Sequence, residues 1–196
     1  MSRLQVIGAL IVIFLVAPSL FCRDVILEFK GAYFLPTSSR FRDCYKGCAL
    51  YGPELTVQLC HNKHWYGFAS VDYFQKKARS LSICDSTKLI LVPLAIGAKY
   101  FVPIKDWMHL YLGLGFQPVY LKTKSRRVFV TSEDSQWGFG GIGKLGAYID
   151  LTHHFLLDLF VDYSLVRTDN FYGNTVSSSH VTISGAIFGA GLGYRF

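Results

Sequence analysis

The chain has 196 residues, 51% of them hydrophobic and 16% aromatic, with 20 Lys and Arg against 13 Asp and Glu and a formal net charge of +7. That length fits one domain, and no Pro/Ser linker or charge block divides it or marks a tail. Past the N-terminal segment no window of about 18 residues is uninterruptedly apolar, which argues against further spanning helices.

Residues 1–22 read as a secretory signal. Arg3 supplies the positive n-region, and Leu4 to Val16 form an apolar core too short for a spanning helix. Pro18 ends it, and Ala17-Pro18-Ser19 offers small residues for cleavage, placed between Ser19 and Asp24. An uncleaved anchor helix and a lipid anchor on Cys22 are the alternatives, although Leu20 and Phe21 stand where a lipobox wants small residues. Residues 23–196 then form the single mature domain.

Eight segments of alternating polarity follow. They cover Val25–Leu35, Ala49–Leu59, His64–Gln75, Lys88–Phe101, Met108–Leu121, Gln136–Asp150, His153–Val166 and Thr182–Phe196. Each is close to or above the roughly ten residues of a tilted spanning strand. Their connections alternate in length. Cys60–Lys63, Val102–Trp107 and Leu151–Thr152 are short, whereas Pro36–Cys48, Lys76–Thr87, Lys122–Ser135 and Arg167–Val181 are long. Short turns on one rim and long loops on the other predict an eight-stranded antiparallel up-and-down transmembrane β-barrel, all-β, in a bacterial outer membrane.

The alternation assigns faces. Phe155, Leu157, Leu159, Val161, Tyr163 and Leu165 point to lipid, and His154, Asp158, Asp162 and Ser164 point to the lumen. Leu110, Leu112, Leu114 and Phe116 oppose His109, Gly113, Gly115 and Gln117 in the same way. The stretch Leu89–Ala98 is apolar on both faces and would suit a soluble core equally well. Aromatic residues gather at both ends of the lipid face, with Trp65, Tyr100, Trp107, Phe155, Tyr194 and Phe196 at one rim. Tyr33, Tyr51, Tyr73, Tyr120, Trp137 and Tyr163 stand at the other. Two such girdles are expected at headgroup depth.

With its leader, eight segments, four long loops and terminal Gly191-Leu192-Gly193-Tyr194-Arg195-Phe196, the chain resembles the small outer-membrane barrels of the OmpA, OmpX and OmpW type. The resemblance implies that Tyr194 and Phe196 carry the signal read by the barrel-assembly machinery. No peptidoglycan-binding domain follows, so a cell-wall anchoring role does not carry over.

The inward residues include Glu28, Glu54, Asp72, Asp158 and Asp162 against Lys30, Lys99 and Lys144, with Arg195 near the short-turn rim. An eight-stranded barrel is only wide enough for side chains, so these charges are expected to pair and fill the lumen. A small ion path is the alternative. The long loops are basic: Arg40, Arg42 and Lys46, then Lys76, Lys77 and Arg79, then Lys122, Lys124, Arg126 and Arg127, then Arg167. Such a rim suits lipopolysaccharide phosphates or anionic host glycans as partners; a solvated surface without a ligand is the plain alternative, and nucleic acid is not expected.

Cys44, Cys48 and Cys84 lie on the long-loop rim and are candidates for a disulfide in an exported protein, with one thiol left over. Cys44, Cys48 and His61 do not make a metal site, because His61 lies at the opposite rim. No cofactor is expected. Catalytic readings are weak: His153-His154 has no nucleophile at a recognisable spacing, and His180 and Ser184 lack the His-x-Ser pattern of barrel lipid A deacylases. The expectation is a non-enzymatic barrel that serves envelope structure and surface contact. A narrow solute channel, a lipid A-modifying enzyme and a secreted lipocalin-like barrel are the alternatives.

Overall fold

The computed structural model describes residues 24–37, 47–59, 64–79, 86–126, 131–168 and 181–196; for 76–79, 86–89, 123–126, 131–136, 168 and 181–183 it describes the backbone alone. The strands are β1 (Val25–Pro36), β2 (Cys48–Gln58), β3 (Trp65–Val71), β4 (Phe74–Arg79) and β5 (Ser86–Lys105). They continue as β6 (Met108–Arg126), β7 (Thr131–Asp150), β8 (Phe155–Thr168) and β9 (Val181–Arg195). All pairings are antiparallel, and β9 returns to β1 from Ile26–Arg195 to Pro36–Gly185. β3 and β4 both lie on β5 and make up one barrel strand. The product is the closed eight-stranded up-and-down barrel that the alternation predicts.

Four details differ from the sequence reading. The third strand, expected as one piece, is interrupted at Asp72 and Tyr73. Proline explains the break. Asp72 N–H donates to the Pro93 carbonyl at 2.9 Å, but Pro93 has no N–H to return. Tyr51 and Tyr73 exchange N–H···O bonds of 3.3 and 2.8 Å, whereas Pro53, two residues along the same edge of β2, has no donor for β3. A third proline, Pro118, stands where the β5–β6 ladder lapses between Pro93–Val119 and Ile96–Phe116. Pro53, Pro93 and Pro118 therefore form a row across four adjacent barrel strands, in positions where proline is otherwise disfavoured.

The second difference is length. The expected loop over Lys122–Ser135 is largely hairpin, with β6 and β7 paired from Lys122–Ser135 to Arg126–Thr131. Backbone pairing continues beyond the apolar band, where polar side chains erase the hydropathy alternation but cost the ladder nothing. For the same reason β4 continues to Arg79 and β5 starts at Ser86, so the loop expected over Lys76–Thr87 narrows. Thirdly, the turn expected over Val102–Trp107 contracts to Asp106-Trp107, since β5 runs on to Lys105. Fourthly, β8 starts at Phe155 instead of His153, because the Leu151 and Thr152 N–H groups both donate to the Phe155 carbonyl and tie residues 151–154 into a turn.

Outward side chains form an apolar band that includes Phe29, Leu112, Leu114, Leu145 and Leu192, and Leu114 is 73% exposed. A soluble barrel would bury such a surface; a wall facing hydrocarbon presents it. Rings cluster at both rims. Trp65 meets Tyr100, and Tyr194 meets Phe155 and Phe196, at the short-turn end. Tyr51 meets Tyr73 and Tyr120 meets Trp137 at the other. The wall is tight enough to require glycine on β9: a β-carbon at Gly189 would run into the Gly31 carbonyl oxygen and sit 2.7 Å from the Ala32 Cα. Phe196 completes the closure, with its N–H bonded to the Val25 carbonyl at 2.9 Å.

Candidate functional site

The inward face of the wall assembles a charged layer across the middle of the lumen. Lys30, from β1, reaches Asp158 of β8 at 2.9 Å, Glu54 of β2 at 3.1 Å and Glu28 at 3.5 Å. Lys144, from β7, reaches Glu54 at 2.8 Å and Asp162 at 3.0 Å. Lys99, from β5, is in direct contact with Glu54 and lies 3.6 Å from Glu28. It also donates to Thr56 and Tyr148, at 3.4 and 2.8 Å. Glu54 thus takes charge from three lysines on three strands. These seven side chains are almost wholly buried. Burial of ions is tolerated only where pairing and hydrogen bonds replace water; ion pairs reach every member of this lattice, although Glu28 Oε2, Lys30 Nζ, Glu54 Oε1 and Asp162 Oδ1 make no hydrogen bond.

Two tyrosines complete the layer. Tyr111 donates to Asp158, 3.1 Å from each carboxylate oxygen, and Tyr148 donates to Glu28 Oε1 at 2.8 Å. Their rings lie 4.9 Å apart at a tilt, and Phe101, stacked on Tyr66, meets Tyr148 edge to face. The ammonium groups also sit on aromatic faces: Lys99 lies 4.4 Å from the Tyr111 centroid, Lys30 4.6 Å from Phe160 and Lys144 5.0 Å from Phe68. Neither tyrosine stands out in the sequence, where Tyr reads as a girdle residue. Their parity is the signal that finds them. Tyr111 falls between the outward Leu110 and Leu112, and Tyr148 lies four residues after the inward Lys144.

Glu28, Lys30, Glu54, Lys99, Lys144, Asp158 and Asp162 are all members of this lattice. Asp72 is half-buried at the strand interruption, and none of the ion pairs above reaches it. Arg195 lies outside the layer, at the short-turn rim, where it bonds Asp150 at 3.2 Å. His109 approaches the same carboxylate at 3.5 Å. On the long-loop side of the layer the lumen changes character. Ser164 donates to Gln117, and beyond that pair the fully buried side chains among the described residues are apolar.

The basic residues are placed unevenly. Lys76, Lys77 and Arg79 lie on β4, and Lys122, Lys124 and Arg126 on β6, so these belong to extended strand ends and not to irregular loops. Lys88 of β5, which was not among the basic candidates, stands in register between Lys77 and Lys124. Arg40, Arg42, Lys46 and Arg127 lie outside the described residues, as do Cys44 and Cys84. Cys48 is buried at the start of β2. Tyr194 and Phe196 are exposed on the outer surface of the short-turn rim. Among the described residues no group of three His, Cys, Asp or Glu is arranged to hold a metal.

No family model and no curated protein matches the sequence. Solved structures do match in fold. The attachment invasion locus protein Ail of Yersinia pestis, in complex with the heparin analogue sucrose octasulfate, aligns at 15% identity and a TM-score of 0.58, over 88% of this chain and 98% of that one. The outer membrane protein OprG of Pseudomonas aeruginosa aligns at 15% and 0.57, over 90% and 97%. Outer membrane protein W of Escherichia coli aligns at 14% and 0.55, over 90% and 100%. The neighbours are bacterial outer-membrane β-barrel proteins, and at these identities the likeness is one of fold.

Proposed function

We propose that this chain is an exported outer-membrane barrel with a sealed lumen, which serves envelope structure and binds polyanions at its long-loop rim. The charged layer carries the reading. A lumen crossed by seven buried charged side chains and two bonded tyrosines leaves no wetted path, so the working surface is the rim. Residues 1–22 act as the leader, and residues 23–196 form the barrel. The long-loop rim faces outward from the cell, and Tyr194 and Phe196 address the chain to the assembly machinery. The protein is not an enzyme.

The rim argument rests on register. Lys77, Lys88 and Lys124 occupy facing backbone positions on three neighbouring strands, with Glu133 of β7 next in the row beyond Lys124. Like charges so placed repel each other, and an anion lying across them relieves the repulsion. Lys76, Arg79, Lys122 and Arg126 lie on the same strand ends, and Arg40, Arg42 and Arg127, outside the described residues, belong to the same proposed patch. Lipopolysaccharide phosphates and sulfated host glycans share the chemistry it selects, and Ail provides a precedent on this fold through its sucrose octasulfate complex. A disulfide among Cys44, Cys48 and Cys84 would stiffen the rim.

Sucrose octasulfate is the test ligand. The refolded barrel should bind it with an affinity that falls as salt rises, and Lys77→Ala with Lys88→Ala and Lys124→Ala should weaken it about tenfold or more. Equal binding by the wild type and the triple variant would refute the rim site.

A further inference from the structure

We propose that the charged layer is a proton-binding site: it holds one proton in the sealed lumen, on the Glu28 carboxyl, and loss of that proton in alkaline solution unlocks the layer. The site presupposes the sealed lumen above and is independent of the rim's polyanion site.

The first observation is how the charges match. Glu28, Glu54, Asp158 and Asp162 are buried with Lys30, Lys99 and Lys144 to answer them. Each lysine has a close partner of its own. Lys30 lies 2.9 Å from Asp158, Lys144 lies 3.0 Å from Asp162, and Lys99 touches Glu54. Glu28 is the carboxyl left over. Its distances of 3.5 Å to Lys30 and 3.6 Å to Lys99 exceed those of a charge-assisted hydrogen bond. Arg195 and His109 are engaged elsewhere, with Asp150 at the short-turn rim.

The second observation is what surrounds Glu28. Glu54 faces it in register from β2 and shares Lys30 and Lys99 with it. Asp158 of β8 shares Lys30 as well, and takes the Tyr111 hydroxyl of β6. On β9 the residue opposite is Gly193, which brings no charge. Tyr148 of β7 donates to Glu28 Oε1 at 2.8 Å and accepts from Lys99. Oε2 has no hydrogen-bond partner. Asp162 Oδ1 has none either, but Lys144 holds that carboxylate through its other oxygen. An ionised Glu28 would add a fourth negative charge to three that are already matched, at the centre of a membrane. There an uncompensated charge costs far more than a neutral carboxyl lacking one bond. A proton on Oε2 leaves three carboxylates against three ammonium groups and keeps Oε1 as the acceptor for Tyr148.

The seal depends on that balance. When hydroxide takes the proton as water, Glu28 becomes a carboxylate and competes with Glu54 for Lys99 and Lys30. The layer then carries a net negative charge, which draws in water and cations and loosens the ties that cross the lumen.

The test uses the mature barrel in lipid nanodiscs, with glutamate isotopically labelled at the side-chain carboxyl for NMR. The chain has three glutamates, Glu28, Glu54 and Glu133, so each signal can be assigned. At neutral pH one signal should stand at the protonated position, vanish in Glu28→Gln, and move to the ionised position as pH is raised. Three ionised signals in the wild type would overturn the site, and this readout needs no variant to fold. A protonated signal that survives Glu28→Gln, or one that is protonated only when sodium is withheld, would overturn it too. Planar-bilayer recording reads the unlocking. Wild-type open probability should rise about tenfold per pH unit until the signal ionises, with cation-selective openings, and Glu28→Gln should abolish the rise. An equal rise in Glu28→Gln, or a wild type that stays closed after the signal has ionised, would overturn the switch. A wild type that conducts steadily at neutral pH would refute the seal itself, while the carboxyl signals still decide where the proton sits.

Discussion

The two halves of the lumen are built on the same strands, yet they solve the filling problem in opposite ways. Towards the short turns, Lys30, Lys99 and Lys144 are locked among carboxylates and rings with little room to move. Towards the long loops, Val119, Val166 and Ile187 line a small, mostly apolar cavity. Ionic contacts are directional and cross the barrel, so each one fixes the positions of two strands. Apolar contacts do not fix register and tolerate a gap. The difference teaches that the charged half holds the barrel's shape, which leaves the apolar half free to carry space and a proline-weakened wall.

The comparison breaks most completely if the barrel does not close. Removing residues 194–196 deletes ladder bonds to β1 and the rings of Tyr194 and Phe196. We expect the truncated chain to fail to reach the outer membrane, whereas Arg195→Ala, which loses only the rim bond to Asp150, should assemble. Cell fractionation with heat-modifiable gel mobility reads both.

Within the charged half, Glu54→Leu should cost most. It removes a carboxylate that contacts three buried lysines, and a broken buried pair costs about 3–5 kcal/mol. Asp158→Leu should approach the same figure, since Lys30 loses its shortest ion pair and Tyr111 its acceptor. Urea unfolding in detergent measures each. An unchanged midpoint for both would mean that the layer does not hold the barrel.

The apolar half should respond less. Val166→Ala enlarges a space that already exists, and the loss of two methyls there should cost about 1–2 kcal/mol. A loss as large as that of Glu54→Leu would erase the contrast between the halves.

The smallest effect sharpens the charged half from within. Four carboxylates, Glu28, Glu54, Asp158 and Asp162, face three ammonium groups. Glu28 has the longest ion pairs, at 3.5 and 3.6 Å, and these set it apart from Glu54, Asp158 and Asp162. Glu28→Gln keeps an acceptor for Tyr148 and removes the surplus negative charge. We expect a change within about 1 kcal/mol. A loss matching that of Glu54→Leu would show that Glu28 is as firmly paired as its neighbours.

Much of the barrel is legible in the alternation, because a strand between lipid and a filled lumen must change polarity at every residue. Asp158 and Asp162 recur at an even spacing opposite Phe155, Leu157 and Leu159, and they lie inside the barrel with Lys30 and Lys144 against them. Three things are not legible. Tyr111 and Tyr148 share their residue type with the girdles, so only parity separates them. The interruption at Asp72 is caused by Pro53 and Pro93, which are about twenty residues away in sequence and adjacent only after pairing. The hairpin beyond Lys122 is polar on both faces, and only its ladder to β7 reveals it.

The central claim is that the charged layer seals the lumen, and planar-bilayer recording tests it most directly. The wild-type barrel should insert without a steady conductance, and Glu54→Leu, which loosens the layer, should show brief openings. A steady single-channel conductance in the wild type would contradict the sealed lumen and make the barrel a channel.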